Sequence, residues 1–237
     1  MGAKVFGKPG FCIVKDIERP AKEDIQKLAE FPVALIGDGY GRRAIMEAAI
    51  KPLDPAMKIA GSAITVETHP ADNLMIHAAM AIAKEGDVLV INAHGSLSNG
   101  IFGDLLCNIA VRKKLAGVVM DGAVRDKAEL IASGMPVFTR GVNPMGGGKE
   151  GPGQVNISTS CGGVVVNPGD IIIADADGII VIPQADAQNA IAGAQAKVAA
   201  EEKRMEQIRT APIDKLNASW LIPTLQKAGV LQEGEEL

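Results

Sequence analysis

Short apolar runs recur along the chain, and most of them are bounded by Gly, Pro or Asp. Short runs rich in Val, Ile and Ala are typical of buried strands. An Asp-Ala-Asp-Gly tip near the end of the series predicts a hairpin with a polar turn. The pattern predicts strands over residues 32–37, 57–68, 88–93, 117–121, 136–140, 164–166, 171–174 and 179–182.

Apolar positions spaced three and four residues apart alternate with these runs and predict helices. The predicted helices cover residues 21–30, 42–50, 72–84, 105–114, 127–133, 184–209 and 214–228. Two stretches rich in Gly, Ser or Asn, residues 94–102 and 143–153, are predicted loops. The second is long enough to be a lid or an insertion.

Strands separated by helices predict an α/β fold. The hairpin and the uneven helix spacing favour a mixed barrel or sandwich over a simple doubly wound sheet. We expect a single domain over residues 1–237, with an N-terminal arm over 1–19 and a helical extension over 184–237. Helices that continue past the last strand favour packing on a neighbouring subunit, so we expect an oligomer.

The composition narrows the function classes. With 237 residues, 47% of them hydrophobic, the chain can bury a core. Aromatic residues are only 3% and the net charge is −4, which argues against nucleic-acid binding. No apolar run approaches the length of a membrane span. Three widely spaced cysteines without a CxxC pair predict reduced thiols in a cytoplasmic protein: Cys12, Cys107 and Cys161.

Two short motifs carry the candidate chemistry. Residues 103–106 read Gly-Asp-Leu-Leu and open a predicted helix, whose first amide groups suit a carboxylate or phosphate. Arg125 and Asp126 follow a predicted buried strand and offer a bidentate cation beside a hard oxygen ligand. Together the two motifs could hold a small anionic substrate against a divalent metal.

Ordinary structural roles compete with this interpretation. Asp104 alone is also typical of a plain helix start, and Asp126 could cap the helix over 127–133. A histidine in the position of His77 is more often a core histidine, whereas His94 precedes the loop into Gly103 and could line the pocket. Residues 146–149, Gly-Gly-Gly-Lys, lack the strand–loop–helix context and the Lys-Ser/Thr ending of a phosphate loop.

The same motifs resemble those of a known family. The stretches at 72–73, 86–87, 102–106 and 121–126 resemble the class II 4-hydroxy-4-methyl-2-oxoglutarate / 4-carboxy-4-hydroxy-2-oxoadipate aldolases. Those enzymes share a fold with the regulator-of-ribonuclease-activity-A proteins. Further similar stretches lie at 136–138, 154–157 and 168–178, so the resemblance covers roughly residues 55–210. It implies an α-β-β-α sandwich around a mixed β-barrel-like core of the swivelling β/β/α type.

The resemblance also implies roles for individual residues. The backbone amides of Gly103, Asp104, Leu105 and Leu106 would bind the pyruvyl carboxylate, and Arg125 would stabilise the enolate oxygen. Asp126 would bind Mg²⁺ or Mn²⁺ directly. Asp104 would hold a metal-bound water, and a neighbouring subunit would complete the shell through water with Glu201 or Glu202.

The implied activity is a metal-dependent pyruvate aldolase, a carbon–carbon lyase, with oxaloacetate decarboxylase as a second activity. The implied assembly is a homotrimer or homohexamer that acts on a small 2-oxo acid, without nucleic acid or membrane partners. Two alternatives remain open: a non-catalytic regulator that binds a ribonuclease or another protein, and a different 2-oxo acid lyase or hydratase. The ribonuclease-regulating relatives lack the metal-binding acid, so Asp126 favours an enzyme.

Overall fold

The computed structural model describes residues 4–213, 216 and 218–235. They form two compact units, one ending at Ala194 and the other beginning at Gln195. The strands are β1 (Val5–Lys8), β2 (Phe11–Val14), β3 (Lys51–Pro52), β4 (Ile59–Thr68), β5 (Asp87–Asn92), β6 (Gly100–Phe102), β7 (Gly117–Val124), β8 (Val137–Val142), β9 (Gly153–Val155), β10 (Thr159–Cys161), β11 (Val164–Val166), β12 (Ile171–Asp175) and β13 (Gly178–Ile182). The helices are α1 (Lys22–Ala29), α2 (Val33–Gly39), α3 (Leu74–Ile82), α4 (Asp104–Arg112), α5 (Lys127–Ala132), α6 (Ala187–Thr210) and α7 (Ala218–Lys227).

One large mixed sheet organises the first unit, with strand order β1-β2-β9-β4-β5-β7-β8-β3. Strands β4, β5, β7 and β8 run parallel to one another, so their carboxyl ends lie at the same edge. The other side of β4 pairs with β12 along its first half and with β9 near its end. The predicted α/β class with a mixed sheet is confirmed.

The central strands are buried on both faces, which explains their nearly continuous apolar sequences. Ile64, Leu89 and Val118 belong to a core cluster that also contains Ile76 of α3 and Leu106 of α4. The neighbouring strand positions belong to a second cluster with residues of β12 and β13: Ala63, Val88 and Val119. Successive side chains of a strand point to opposite faces, so each strand serves both clusters.

The strand predicted over 32–37 is wrong, because this segment forms helix α2. Pro32 precedes the first helical residue, and Val33 and Ile36 are buried against β12, β13 and α6. The amide of Val33 donates to Asp175 Oδ2 at 2.9 Å. A four-residue apolar run is compatible with a strand or a buried helix, and tertiary packing decides between them here.

The helix predicted over 42–50 is also wrong. Arg42 and Ala44 adopt left-handed backbone conformations, with φ of 56° and 57°. The amide of Met46 donates to Ile179 O at 3.0 Å, and that of Glu47 donates to Gly162 O at 2.9 Å. These backbone groups are therefore bonded to the β13 strand and to the β10–β11 turn rather than to a preceding helical turn.

At the N-terminal end, the predicted arm contains the hairpin β1–β2, which extends the sheet because β2 pairs with β9. At the C-terminal end, α6 follows a short 3-10 turn over Gln184–Asp186. The last predicted helix corresponds to α7, and positions 214, 215 and 217 of that prediction lie outside the described residues. Within the described chain, we find no helix with the length and apolar character that a membrane crossing requires.

Candidate active site

The two sequence motifs meet because β6 pairs in parallel with the end of β7. β6 leads directly into α4, and β7 leads through Arg125 and Asp126 into α5. The amide of Arg125 donates to Phe102 O at 2.9 Å, which fixes the register of the two exits. The two loops therefore leave the sheet side by side at its carboxyl edge, where α/β proteins commonly bind ligands.

A carboxylate–amide hydrogen bond joins the loops. Asp126 Oδ2 accepts from the amide of Asp104 at 3.0 Å, across 22 positions of sequence. Gly103, the residue before α4, has an extended backbone with φ of −146°. Glycine is required there by close approach, because a Cβ would lie 2.5 Å from Asp126 Oδ2 and 2.8 Å from Arg125 Cγ.

Asp126 occupies the cap position of α5 but makes no side-chain cap hydrogen bond to that helix. Its backbone is left-handed, with φ of 56° and ψ of 45°, a conformation that Asp tolerates better than most residues. Its carboxylate instead bonds the start of α4. The structure therefore contradicts the alternative in which the Asp126 side chain caps α5.

Arg125 and Asp126 form a loose ion pair, with Arg125 Nε 3.4 Å from Asp126 Oδ2. Their side chains are 40% and 38% exposed. Exposed pairs of this kind contribute about 0–1 kcal/mol to stability. Both charged groups therefore remain available to an anionic ligand and a cation.

A cavity of about 180 Å³ lies over the start of α4. Gly103, Leu105, Leu106 and Arg125 line it. The amide of Asp104 is taken by Asp126, whereas the amides of Leu105 and Leu106 find no acceptor among the described residues. Two free amides, a helix N-terminus and a guanidinium thus converge on one small space, as an anion site requires.

The same cavity is lined by three residues that the sequence did not assign to the site: Asn73, His77 and Lys149. His77 is half-buried on α3. Burial lowers its pKa below the ordinary 6.5, and the charge of Lys149 lowers it further. The sequence signal that could have placed Lys149 in the site is the run of three glycines before it. Such a run indicates that the backbone passes close to other groups, and it carries the lysine with it to the cavity.

Other candidates lie elsewhere. The Asp104 carboxylate accepts from Asn108 Nδ2 at 2.7 Å on its own helix and does not line the cavity. His94 lies in a different pocket, with its Nε2 3.6 Å from Glu67 Oε1. Cys107 is a buried free thiol whose pKa is raised by burial, which leaves it protonated and unreactive.

The donor set fits a weakly held hard cation. Asp126 presents a second oxygen, Oδ1, with no hydrogen-bond donor among the described residues. No group of three or more His, Cys, Asp or Glu side chains suited to a metal exists within the described chain. Mg²⁺ commonly takes one or two carboxylates and completes its shell with water and substrate. Asp126 fits that pattern as a single protein anchor.

The acidic residues expected from a neighbouring subunit, Glu201 and Glu202, lie on α6 and are exposed. The structure contains one protomer, so their role at another subunit's site stays a prediction. Exposed apolar side chains occur in the segments that border the cavity: Leu97 at 51%, Leu105 at 77% and Met145 at 62%.

Comparisons with known proteins agree with this architecture. The family model described as RraA-like, Aldolase/RraA, matches residues 31–181. A Halalkalibacterium halodurans protein named "Putative 4-hydroxy-4-methyl-2-oxoglutarate aldolase" is 38% identical over 184 residues, 78% of this chain and 88% of that protein. RraAS2 of Streptomyces coelicolor, described as an unusual member of the RNase ES inhibitor RraA protein family, has a TM-score of 0.73 and 28% identity, covering 83% of this chain and 100% of that one. The RNA-processing inhibitor RraA of Thermus thermophilis has a TM-score of 0.60 and 30% identity, and the match covers 64% of this chain and 92% of that one.

Because His77 and Lys149 line the same cavity, removing the charge of Lys149 should change the pKa of His77. Replacing Lys149 with Met should raise the pKa of His77, because removing a nearby cation makes the imidazolium less costly. The pKa of His77 is lower in the folded protein than in the unfolded chain, so protonation favours unfolding. The contribution of His77 to stability therefore falls as the pH drops below the unfolded pKa near 6.5. The Met variant should show a smaller fall.

Proton NMR of the imidazole resonances would measure this shift, with Lys84→Met as a control that removes an exposed lysine outside the cavity. An unchanged His77 titration in Lys149→Met would contradict the cavity geometry described here.

Proposed function

The chain belongs to the RraA-like, Aldolase/RraA family, and on that premise we propose that it is a divalent-metal-dependent pyruvate aldolase. The substrate would be a 4-hydroxy-2-oxo acid such as 4-hydroxy-4-methyl-2-oxoglutarate or 4-carboxy-4-hydroxy-2-oxoadipate. The observation that carries the proposal is that Arg125 and the start of α4 line one cavity, while Asp126 is bound to both of them, through the amide of Asp104 and beside Arg125 Nε.

The substrate carboxylate would bind at the start of α4. The amides of Leu105 and Leu106 are free to donate, and the helix dipole favours negative charge at this end. Arg125 would lie beside the 2-oxo group, since its guanidinium shares the cavity with those amides. Its positive charge would stabilise the enolate oxygen as that oxygen becomes negative.

Asp126 would be the direct ligand of Mg²⁺ or Mn²⁺, with Asp104 and Glu201 or Glu202 of a neighbouring subunit acting through water. A bound divalent cation would supply Lewis-acid polarisation of the 2-oxo group. Asp126 can serve two functions because its carboxylate has two oxygens. Oδ2 holds the amide of Asp104 at 3.0 Å, while Oδ1 has no donor among the described residues.

The proposed reaction is a retro-aldol cleavage. A water held near Asp104 would take the proton of the C4 hydroxyl group. The electrons of the breaking C3–C4 bond would pass to the 2-oxo group and give the enolate of pyruvate, stabilised by Arg125. Protonation at C3 then yields pyruvate, and C4 leaves as a carbonyl compound. Decarboxylation of oxaloacetate passes through the same enolate, so we expect it as a second activity.

The exposed apolar residues at the rim support an oligomer in which a second subunit borders the site. Leu105 and Met145 are more than half exposed in the single protomer, and exposed apolar groups around a polar cavity are typical of interfaces. We expect a homotrimer or homohexamer. The rival function, a non-catalytic regulator of a ribonuclease, draws support from the similarity to the two RraA structures.

A turnover assay separates these functions. Pyruvate release would be measured from oxaloacetate and from 4-hydroxy-4-methyl-2-oxoglutarate, with Mg²⁺ or with EDTA. The aldolase proposal predicts release from both substrates with Mg²⁺ and its loss with EDTA, because enolate formation needs the cation. Absence of release from both substrates with the metal present would instead favour the regulator or a different 2-oxo acid lyase or hydratase.

Arg125 provides the sharpest mutational test. Arg125→Ala should lower kcat by about a hundredfold or more, since removal of one oxyanion donor typically costs that much. Arg125→Lys should recover part of the loss, because it restores the charge but not the planar fork. Arg112→Ala, an exposed change at the end of α4 and outside the cavity, is the matched control and should stay within about twofold of wild type. Wild-type turnover in Arg125→Ala would remove this residue from the mechanism.

A further inference from the structure

The glycine-rich segment over residues 143–152, called the strap below, is tied to the site at several points. Asn143 donates its amide to Val124 O at 2.9 Å, and Met145 O accepts from the amide of Gly100 at 2.7 Å. Gly146 O accepts from Asn99 Nδ2 at 2.5 Å. The strap therefore forms a fixed wall of the cavity, although its composition is also compatible with a mobile lid.

The glycines of the strap are explained by close approach. A Cβ on Gly146 would lie 2.6 Å from Arg125 Nη1. A Cβ on Gly147 would lie 2.9 Å from Ile101 Cγ2 and 3.0 Å from Ala71 O. The distances of 2.6 and 2.9 Å are shorter than Cβ contacts normally reach, so the backbone of the strap packs directly against the site.

Asp72 ties the far end of the strap to the start of α3. Its side chain is buried, with Oδ1 accepting from the amide of Leu74 at 2.8 Å and Oδ2 from the amide of Glu150 at 2.7 Å. Burial alone would raise the pKa of Asp72, but hydrogen bonds from the backbone amides of Glu150, Leu74 and Gly151 outweigh it and lower the pKa. The carboxylate is therefore charged and bound to both segments.

These ties fix the position of Lys149. The preceding residue, Gly148, accepts from the amide of Asn73 at 2.9 Å and donates to Ala71 O at 2.8 Å. The following residue, Glu150, is bound by Asp72. With its backbone held on both sides, Lys149 lines the same cavity as Arg125.

We propose that Asp72 is a positioning residue of this site, which acts by holding the strap so that Lys149 joins Arg125 in the cavity. The proposal rests on the proposed function for its kinetic consequence, but its structural consequence can be measured without turnover. Asp72 does not line the cavity, so its effect would pass through Lys149.

Asp72→Asn is a selective test. The Asn carbonyl oxygen can replace Oδ1 and still accept from the amide of Leu74, which preserves the start of α3. The Asn NH₂ group would face the amide of Glu150 as a second donor, so the hydrogen bond that holds Glu150 is lost. Asp175→Asn is the matched control, because Asp175 also bridges two amides, those of Val33 and Asp177, away from the cavity.

The first measurement is the NMR titration of His77 in Asp72→Asn. Displacement of Lys149 should raise the pKa of His77 toward its value in Lys149→Met. Loss of the negative charge of Asp72 would by itself lower that pKa, so a rise reports movement of the lysine. Asp175→Asn should leave the titration unchanged. A wild-type His77 titration in Asp72→Asn would overturn the proposal whether or not the protein is an aldolase.

The second measurement is a double-mutant cycle on kcat/KM for oxaloacetate cleavage. Asp72→Asn should lower kcat/KM roughly tenfold to a hundredfold, as expected for a displaced group in a site. In the Lys149→Met background the same change should cost less than about twofold, because residues that act through one contact are not additive. Equal losses in both backgrounds would overturn the proposal, whereas an inactive wild type would refute the proposed function and leave the His77 titration to decide.

Discussion

The hydrogen bond from the amide of Asp104 to Asp126 Oδ2 determines the geometry of the whole site. It crosses between two loops that leave the sheet from neighbouring strands. Because one oxygen of Asp126 is used in this way, the carboxylate is oriented, while its other oxygen has no hydrogen-bond donor among the described residues. The left-handed backbone of Asp126 and the absence of a side chain at Gly103 both follow from this contact. Strain of this kind is kept where the surrounding structure determines it.

The sheet makes the contact possible. Strands β5 and β7 are buried on both faces, and their parallel pairing places loop exits at one edge. Short β6 adds to the end of β7 and delivers α4 beside Arg125. In the proposed enzyme, a single carboxylate, a guanidinium and a helix N-terminus would hold the anion and the cation, with substrate, water and a neighbouring subunit supplying the remaining ligands. The protein contribution is mainly electrostatic preorganisation.

Much of this arrangement could be predicted from the sequence. The apolar runs of β5 and β7, the Gly-Asp-Leu-Leu helix start and the Arg-Asp pair are local patterns, and each pattern has a direct physical cause. The failures occurred where tertiary contacts decide local structure. The apolar run at the start of α2 is compatible with either a strand or a buried helix. Backbone groups within residues 42–50 form hydrogen bonds to β13 instead of the bonds of a helical turn. Lys149 could not be placed, because its position depends on Asp72, which lies far from it in sequence.

The central claim is that this site stabilises the enolate of pyruvate, and deuterium exchange at the pyruvate methyl group tests it most directly. The protein would be incubated with pyruvate and Mg²⁺ in D₂O, and the methyl signal followed by proton NMR. The account predicts that the signal decays faster with the complete protein and metal than with metal alone. A methyl signal that decays at the same rate with and without the protein would contradict the account.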